Sequence, residues 1–442
     1  MLRSKKLNPA EAFRYLAAKA GPGRTRGCGP DAIKNVLVIN SASRSGSSFL
    51  YRVLSAHPGV ISLNGEDSLF QKLHGLFRLE SEADSDEFPE GAEPARSALE
   101  GAAADMLLDA GCEWRPGAPF PEEEYAGDCA RRMVLQWPCA GADPDRVLRL
   151  AASAVREELS RGGSFDRARC WLSFISSAAA HWHAIDRLSY DLPGGGYAAD
   201  AAPKGPPGGG TLLEEPPFIV PSPRVFPSGR RAAGMTLLLK SSSNCYRAAL
   251  LKKFFPAARF RYILLARNPM GAVNGLMDGW LSRAFFSRDV GGIAPLSIRG
   301  YSSADRPWSR RWWKFDLPPG WAAYAGKPLP EVCAFQWTAA NARVLRDETA
   351  GVFGEALRLR YEDLLGPEAL GRSAALAAAF AGLEPGRLDA GTEPVMSVMS
   401  VTPPRRGKWL ARRAALEPLL AGPAGGIAAA LGYDARGVSE WP

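Results

Sequence analysis

One segment constrains the fold more than any other. It reads Val36-Leu37-Val38-Ile39-Asn40-Ser41-Ala42-Ser43-Arg44-Ser45-Gly46-Ser47-Ser48-Phe49-Leu50. Its first four residues are apolar at both alternating positions, which suits a parallel strand buried on both faces. Small residues then form a tight loop. Ser47 to Ala56 reads as a helix with Phe49, Leu50, Val53 and Leu54 on one face, stopped by His57-Pro58-Gly59. A strand feeding a helix in this way aims unpaired backbone N–H groups and the positive end of the helix dipole beyond the strand. The hydroxyls of Ser45, Ser47 and Ser48, the charge of Arg44 and the close approach allowed by Gly46 complete a cradle for a phosphate-like anion. The Walker pattern G-x-x-x-x-G-K-[ST] is absent, which disfavours an ATPase. Taken alone, the segment is equally compatible with an ordinary serine-rich turn.

The rest of the chain supplies partners for such a strand. Val60-Ile61-Ser62-Leu63 is a second short strand. From Met235 onward strands and helices alternate: strand Thr236–Lys240, helix Cys245–Phe255, strand Arg261–Ala266, helix Gly271–Trp280, helix Val332–Asp347, strand Ala356–Arg360, helix Pro367–Ala381 and a helical tail. That alternation predicts an α/β fold, a central parallel sheet covered by helices on both faces. Between the two regions lies a long, partly irregular insertion. It opens with an acidic stretch, Glu80 to Glu93, expected to be solvated. It holds one clear helix, capped by Asp143 with Pro144 in its first turn, and becomes Gly/Pro-rich from Pro193 to Gly210. The chain therefore divides into an N-terminal extension, 1–30, and one domain, 31–442, with a core of 31–66 and 234–442 and an insertion of 67–233.

Composition narrows the function classes. The 442 residues carry a net charge of +8 and a pI of about 9.2, which suits an anionic partner without choosing among nucleotide, sulfated sugar, nucleic acid and acidic membrane. The seven cysteines are odd in number, widely spaced and free of any Cys-x-x-Cys pair. That argues against a disulfide scaffold or zinc site and for a reducing, cytoplasmic setting. The longest apolar runs, Met235–Leu239 and Tyr262–Ala266, are strand-sized, so no membrane span is expected. The basic first 26 residues lack the apolar stretch of a secretory signal and leave organelle targeting open.

Three further segments recur with the cradle. They are Leu239-Lys240 through Phe255-Pro256-x-x-Arg259-Phe260-x-x-Ile263-Leu264-Leu265-x-Arg267-Asn268-Pro269; Leu359-Arg360-Tyr361-Glu362-Asp363-Leu364; and Arg405-Arg406-Gly407-Lys408-Trp409, with Leu431-Gly432-Tyr433 near the end. In this order the four resemble the motifs of sulfotransferases that use 3′-phosphoadenosine 5′-phosphosulfate (PAPS), in their carbohydrate-type and bacterial branches. The resemblance covers Lys34–Glu66 and Met235–Tyr433, about half the chain. It implies a P-loop-like parallel sheet, agreeing with the alternation above. It also implies transfer of a sulfuryl group from PAPS to a hydroxyl or amine of a carbohydrate, lipid or small-molecule acceptor, with no metal and no nucleic-acid partner. The alternatives are a non-catalytic protein of this fold that binds an anionic polymer, and an atypical P-loop kinase.

By resemblance, Arg44, Ser45, Gly46, Ser47 and Ser48 hold the 5′-phosphosulfate, with Arg44 where many members have lysine. Arg267, at a strand end, grips the 3′-phosphate as a fork. The family usually has serine eight residues later; here that position is Gly275, and Asn274 beside it is the candidate replacement. Arg405 and Arg406, with Gly407 and Lys408, would close over the 3′-phosphate. Phe49 and Tyr361 match adenine-contacting positions, with core packing the other reading for each. The histidine that cytosolic members carry two residues after the third-strand lysine is missing, since Lys240 is followed by Ser241-Ser242. Carbohydrate-type and bacterial members place a glutamate after the second strand, so the resemblance implies Glu66 as general base with Asp67 its alternative, while Lys240 would stabilise the bridging oxygen or the sulfonate.

Other signals are weaker. His181-Trp182-His183 lies in helical surroundings, where i and i+2 diverge, and reads as core or surface histidines before a metal pair. The basic aromatic run Trp308–Lys314 could line a cleft, or could pack its rings inward with its charges solvated. Glu214 and Glu215 are the insertion acids that could reach an acceptor.

Overall fold

The computed structural model describes residues 7–20, 28–186, 205–207, 212–213, 220–227, 229–385, 405–434, 437–438 and 441. In chain order these give α1 (Pro9–Ala20), β1 (Asn35–Asn40), α2 (Ser47–Ser55), β2 (Val60–Ser62), α3 (Ser68–Leu73), α4 (Arg96–Asp109), β3 (Cys112–Glu113), α5 (Glu122–Gln136), α6 (Pro144–Ser160) and α7 (Arg167–Ala179). There follow β4 (Arg224–Val225), α8 (Gly229–Ala233), β5 (Thr236–Lys240), α9 (Ala248–Phe254), β6 (Arg259–Ala266), α10 (Pro269–Leu281), β7 (Phe286–Asp289) and β8 (Trp312–Lys314). The chain ends with α11 (Leu329–Thr349), β9 (Glu355–Arg360), α12 (Pro367–Phe380), α13 (Arg413–Leu416) and α14 (Pro423–Ala430). Among the described residues no helix is long and apolar enough to cross a membrane.

Five strands form one parallel sheet in the order β2-β5-β1-β6-β9. β1 sits at its centre, and the burial of its residues explains the unbroken apolar run. Val36 and Val38 face one core, while Leu37 and Ile39 face the other, all at most 1% exposed. The smaller core lies against α2 and α12. The larger takes in α9, α10, α11 and the insertion. All five strands run the same way, so their carboxyl ends share one edge, where ligands of such sheets bind.

The expected elements are present, with two differences. The helix expected over Cys245–Phe255 is broken: a 3₁₀ turn at Ser242–Tyr246 precedes α9, because Ser241 caps it by accepting from the Ser243 N–H. The insertion is more helical than its composition suggests. Besides α6, whose N-cap is Asp143 accepting from Arg146 N at 2.8 Å, it contributes α4, α5 and α7. α5 and α6 pack on α1, which buries Phe13 and Leu16 completely, and α7 packs on α6. Their sequences hid this because polar side chains are buried in pairs: Arg132 meets Asp109 at 3.0 Å, and Arg131 meets Asp128, inside helices whose apolar stripes they interrupt.

Candidate functional site

The loop after β1 is held in an unusual backbone shape. Arg44 has φ +65° and Gly46 φ +89°. A left-handed conformation costs an ordinary residue about 1–2 kcal/mol, so Arg44 sits there because its surroundings hold it. At Gly46 the reason for glycine is direct: a Cβ would fall 2.2 Å from the Tyr361 ring. The Ser45 hydroxyl is fully buried and has no hydrogen-bond partner among the described residues; the Asn40 side-chain amide is in the same state. Orphaned buried polar atoms are costly, and a cluster of them beside a glycine-lined loop suits a polar ligand. Register places this loop between two strand ends. Ile39 pairs with Lys240 of β5 on one side, and Asn40 with Leu264 of β6 on the other.

On the β6 flank, Arg267 donates through Nη1 to the Arg44 carbonyl at 3.0 Å, and its guanidinium lies 4.3 Å from the centre of the Tyr361 ring. Its Nε is buried without a hydrogen-bond partner among the described residues. The Arg44 guanidinium lies 5.5 Å from the centre of the Phe285 ring, and that ring stacks on Phe315. Burial, and then the nearby Arg267, push the Arg44 pKa down to about 10; burial also lowers that of Arg267. Gly275 faces both arginines: a Cβ there would lie 3.6 Å from Arg44 Nε and 3.9 Å from Arg267 Nη1. Two like charges thus face one another across this loop, an arrangement that suits an anionic ligand.

Three motif segments meet behind Arg267. Asn268 caps α10 by accepting from Gly271 N at 2.7 Å, and donates through its side chain to Glu362 at 2.7 Å. Tyr433 donates to the other Glu362 oxygen at 2.8 Å. The basic C-terminal segment reaches α10 from outside. Lys408 and Arg412 both pair with Asp278 at 2.7 Å, and Arg412 donates to the Asn274 side-chain oxygen at 2.8 Å. Asn274 therefore has its acceptor engaged within the protein. Arg405 and Arg406 are exposed, ahead of Gly407 with its φ of +62°. Phe49 is half-buried against the smaller core, and Ser47 is buried at the first turn of α2.

On the β5 flank, Glu66 is 3% exposed, paired with Lys240 and accepting from Ser241 Oγ at 3.0 Å. The insertion fixes this acid-bearing loop. Asp109 accepts from Asn64 N at 2.8 Å while holding Arg132 of α5, and Arg224 grips Asn64 and Ser62. Asp67 points elsewhere, accepting from Gln71 at 3.0 Å and Asn244 at 2.9 Å, and burial raises its pKa to about 6.

Two acids belong to this region that sequence reasoning missed. Asp316 accepts from Ser43 of the loop at 2.5 Å and from Tyr246 at 3.0 Å. Burial raises its pKa to about 7 against those hydrogen bonds, with Asp86 adding to the rise. Asp86 is 2% exposed, not solvated as the acidic stretch around it suggested. It holds Arg288, Ser243 and the Leu317 N–H. In the Trp308–Lys314 run Trp312 and Trp313 pack inward and Arg310 and Arg311 are exposed, as one reading expected, but Lys314 departs from it. It is fully buried, donates to the Ser282 carbonyl just past α10, and lies over Phe286 at 4.6 Å. A cation there complements the helix dipole. His181 and His183 are exposed, and Glu214 and Glu215 fall outside the described residues.

No family model and no curated protein matches this chain. Two solved structures are similar over its length. One is a sulfotransferase domain from the curacin biosynthetic pathway, 13% identical, spanning 91% of this chain and 99% of its own with a TM-score of 0.36. The other is a sulfotransferase domain from the Synechococcus PCC 7002 olefin synthase, 13% identical, spanning 91% and 96%, with a TM-score of 0.34.

Proposed function

We propose that this protein moves a sulfuryl group from PAPS to a hydroxyl or amine of a carbohydrate, lipid or small-molecule acceptor. One observation carries the reading. Arg267, with its Nε unpartnered, converges with Arg44 on a loop whose Ser45 hydroxyl is also unpartnered, one strand away from the buried Glu66–Lys240 pair. That arrangement pairs an anion cradle with an acid and a cation on its neighbouring strand end. The residues fit PAPS by their chemistry, since it carries anionic groups at both ends of the nucleotide and needs donors and cations for each.

Bound PAPS would supply the activated sulfuryl group. Arg44, Gly46 and the hydroxyls of Ser45, Ser47 and Ser48 bind its phosphosulfate end, and Arg44 neutralises charge that grows on the leaving phosphate. Arg267 binds the 3′-phosphate, with Arg405 and Arg406 closing from outside. Asn274 keeps only its amide donor for this purpose, because Arg412 holds its oxygen. Gly275 leaves the space between the arginines open to the ligand. Glu66 takes the acceptor's proton as the acceptor oxygen or nitrogen bonds to sulfur and the sulfur–oxygen bond to phosphate breaks. Lys240 stands beside Glu66 to stabilise the sulfonate.

The test is isothermal titration with adenosine 3′,5′-bisphosphate, adenosine 5′-phosphosulfate and ATP. The bisphosphate should bind with micromolar affinity, about −8 kcal/mol, and the two ligands lacking a 3′-phosphate far more weakly. Equal affinity for adenosine 5′-phosphosulfate would sink the assignment, and preference for ATP would point to phosphoryl transfer.

A further inference from the structure

A second group of arginines stands beyond β2, on the side away from β5 where Gly111 bridges to Ser62. Arg52 on α2 and Arg167 on α7 both donate to the hydroxyl of Ser222, Arg52 at 3.4 Å. Arg224, 3% exposed, lies behind them. Arg52 and Arg224 face the same carboxylate oxygen of Glu113, at 3.9 and 3.6 Å. Three guanidinium groups thus share one carboxylate and one hydroxyl. Neither distance to Glu113 is that of a hydrogen bond, and Glu113 Oε1 is buried without a hydrogen-bond partner among the described residues. Burial, followed by the charge of Arg52, lowers the pKa of Arg167. The cluster therefore carries uncompensated positive charge in a half-buried place: the Arg52 side chain is 34% exposed and that of Glu113 18%.

Its position ties it to the acid-bearing loop. The Ser222 N–H donates to the Asn64 side-chain oxygen at 2.9 Å, and Arg224 Nε to the same oxygen at 3.1 Å, two residues before Glu66. Two donors, from α2 and α7, converge on one hydroxyl, and a third guanidinium, from β4, faces the carboxylate beside it. A tetrahedral oxyanion accepts from several directions at once, whereas a planar carboxylate is satisfied by one or two forks.

We propose that Arg52, Arg167 and Ser222, backed by Arg224, bind one tetrahedral oxyanion, a sulfate or phosphate ester carried by the acceptor beside Glu66. The acceptor part rests on the transfer reading above; the anion site does not. A free inorganic anion shares the chemistry, and the test separates the two sources.

The experiment titrates glucose 6-sulfate, inorganic sulfate and glucose into the full chain saturated with adenosine 3′,5′-bisphosphate, so that the cradle is filled. The ester should bind and glucose should not. Arg52→Gln and Arg167→Gln should each weaken the ester about tenfold, while Glu113→Gln should strengthen it about threefold. A gain from Glu113→Gln cannot come from misfolding. Absence of ester binding, or affinities unmoved by all three substitutions, would overturn the site. Inorganic sulfate binding as tightly as the ester would overturn the acceptor assignment. If the bisphosphate itself fails to bind, the transfer reading fails alone, and the same titration in the Arg267→Ala background still reads the arginine cluster.

Discussion

The two flanks of the loop after β1 handle charge in opposite ways. On the β5 side the acids meet internal partners: Glu66 has Lys240 and Ser241, Asp67 has Gln71 and Asn244, and Asp86 has Arg288. On the β6 side Arg267 has a carbonyl and an aromatic ring but no ion pair among those described, and one of its nitrogens is orphaned. A buried ion pair is strongly destabilised when one partner is removed, because the other is stranded. A half-buried cation with an orphaned nitrogen keeps a donor unmet by the fold. One flank is complete as folded; the other leaves a donor unmet.

The sharpest way to break that contrast is Glu66→Gln. It keeps the shape but cannot take a proton, so turnover should fall roughly 10²–10⁴-fold, with affinity for adenosine 3′,5′-bisphosphate changed by less than a few-fold. Because Lys240 loses its buried partner, thermal stability should fall too. Turnover within a few-fold of the unmodified protein, with chemistry rate-limiting, would rule Glu66 out as the base.

Arg267→Ala should show the opposite pairing of effects. Bisphosphate affinity should drop by about 2–5 kcal/mol if the contact is desolvated, while the melting temperature without ligand should hold or rise. Loss of ligand-free stability as large as that in Glu66→Gln would erase the distinction between the flanks. Unchanged affinity would move the 3′-phosphate site elsewhere.

The smallest effect is expected at the seam, in Asp316. Its folded pKa of about 7 lies above the ordinary aspartate value, so the fold prefers the protonated acid. That preference is fully present below about pH 4, the unfolded pKa, and is lost as pH rises through 7. Asp316→Asn keeps a neutral side chain throughout. Its melting temperature should therefore lose less than that of the unmodified protein between pH 5 and 8. Parallel melting curves across that range would show that Asp316 does not titrate there.

Much of the sheet was legible because its strands are buried on both faces. Val36–Ile39 and Thr236–Lys240 are continuous runs that leave little other choice, and the glycine and serines between β1 and α2 mark the turn by their size. Cradle residues adjacent in sequence were legible for the same reason. Asp316 and Asp86 were not. Each is an acid in an irregular segment, and what makes it matter is a contact from far along the chain: Ser43 to Asp316 spans 273 positions. The buried arginines of α5 were hidden by the rule that reads charge as surface, which fails wherever the partner charge is buried with it. Lys314 misled in the same direction, since its partners are carbonyls that no residue pattern advertises.

The separation between Glu66 and Lys240 has a consequence for how the molecule comes into being. The two groups stand 174 positions apart, and β2 can join the sheet only by pairing with β5 across the whole insertion. Local contacts such as those within α5 or α6 form without closing so long a loop, whereas this one must bear its closure entropy first. The acid and its lysine therefore assemble late, after the helices between them. A nascent chain stalled before β5 has the loop after β1 written but has neither the strand that docks β2 nor the lysine that meets Glu66.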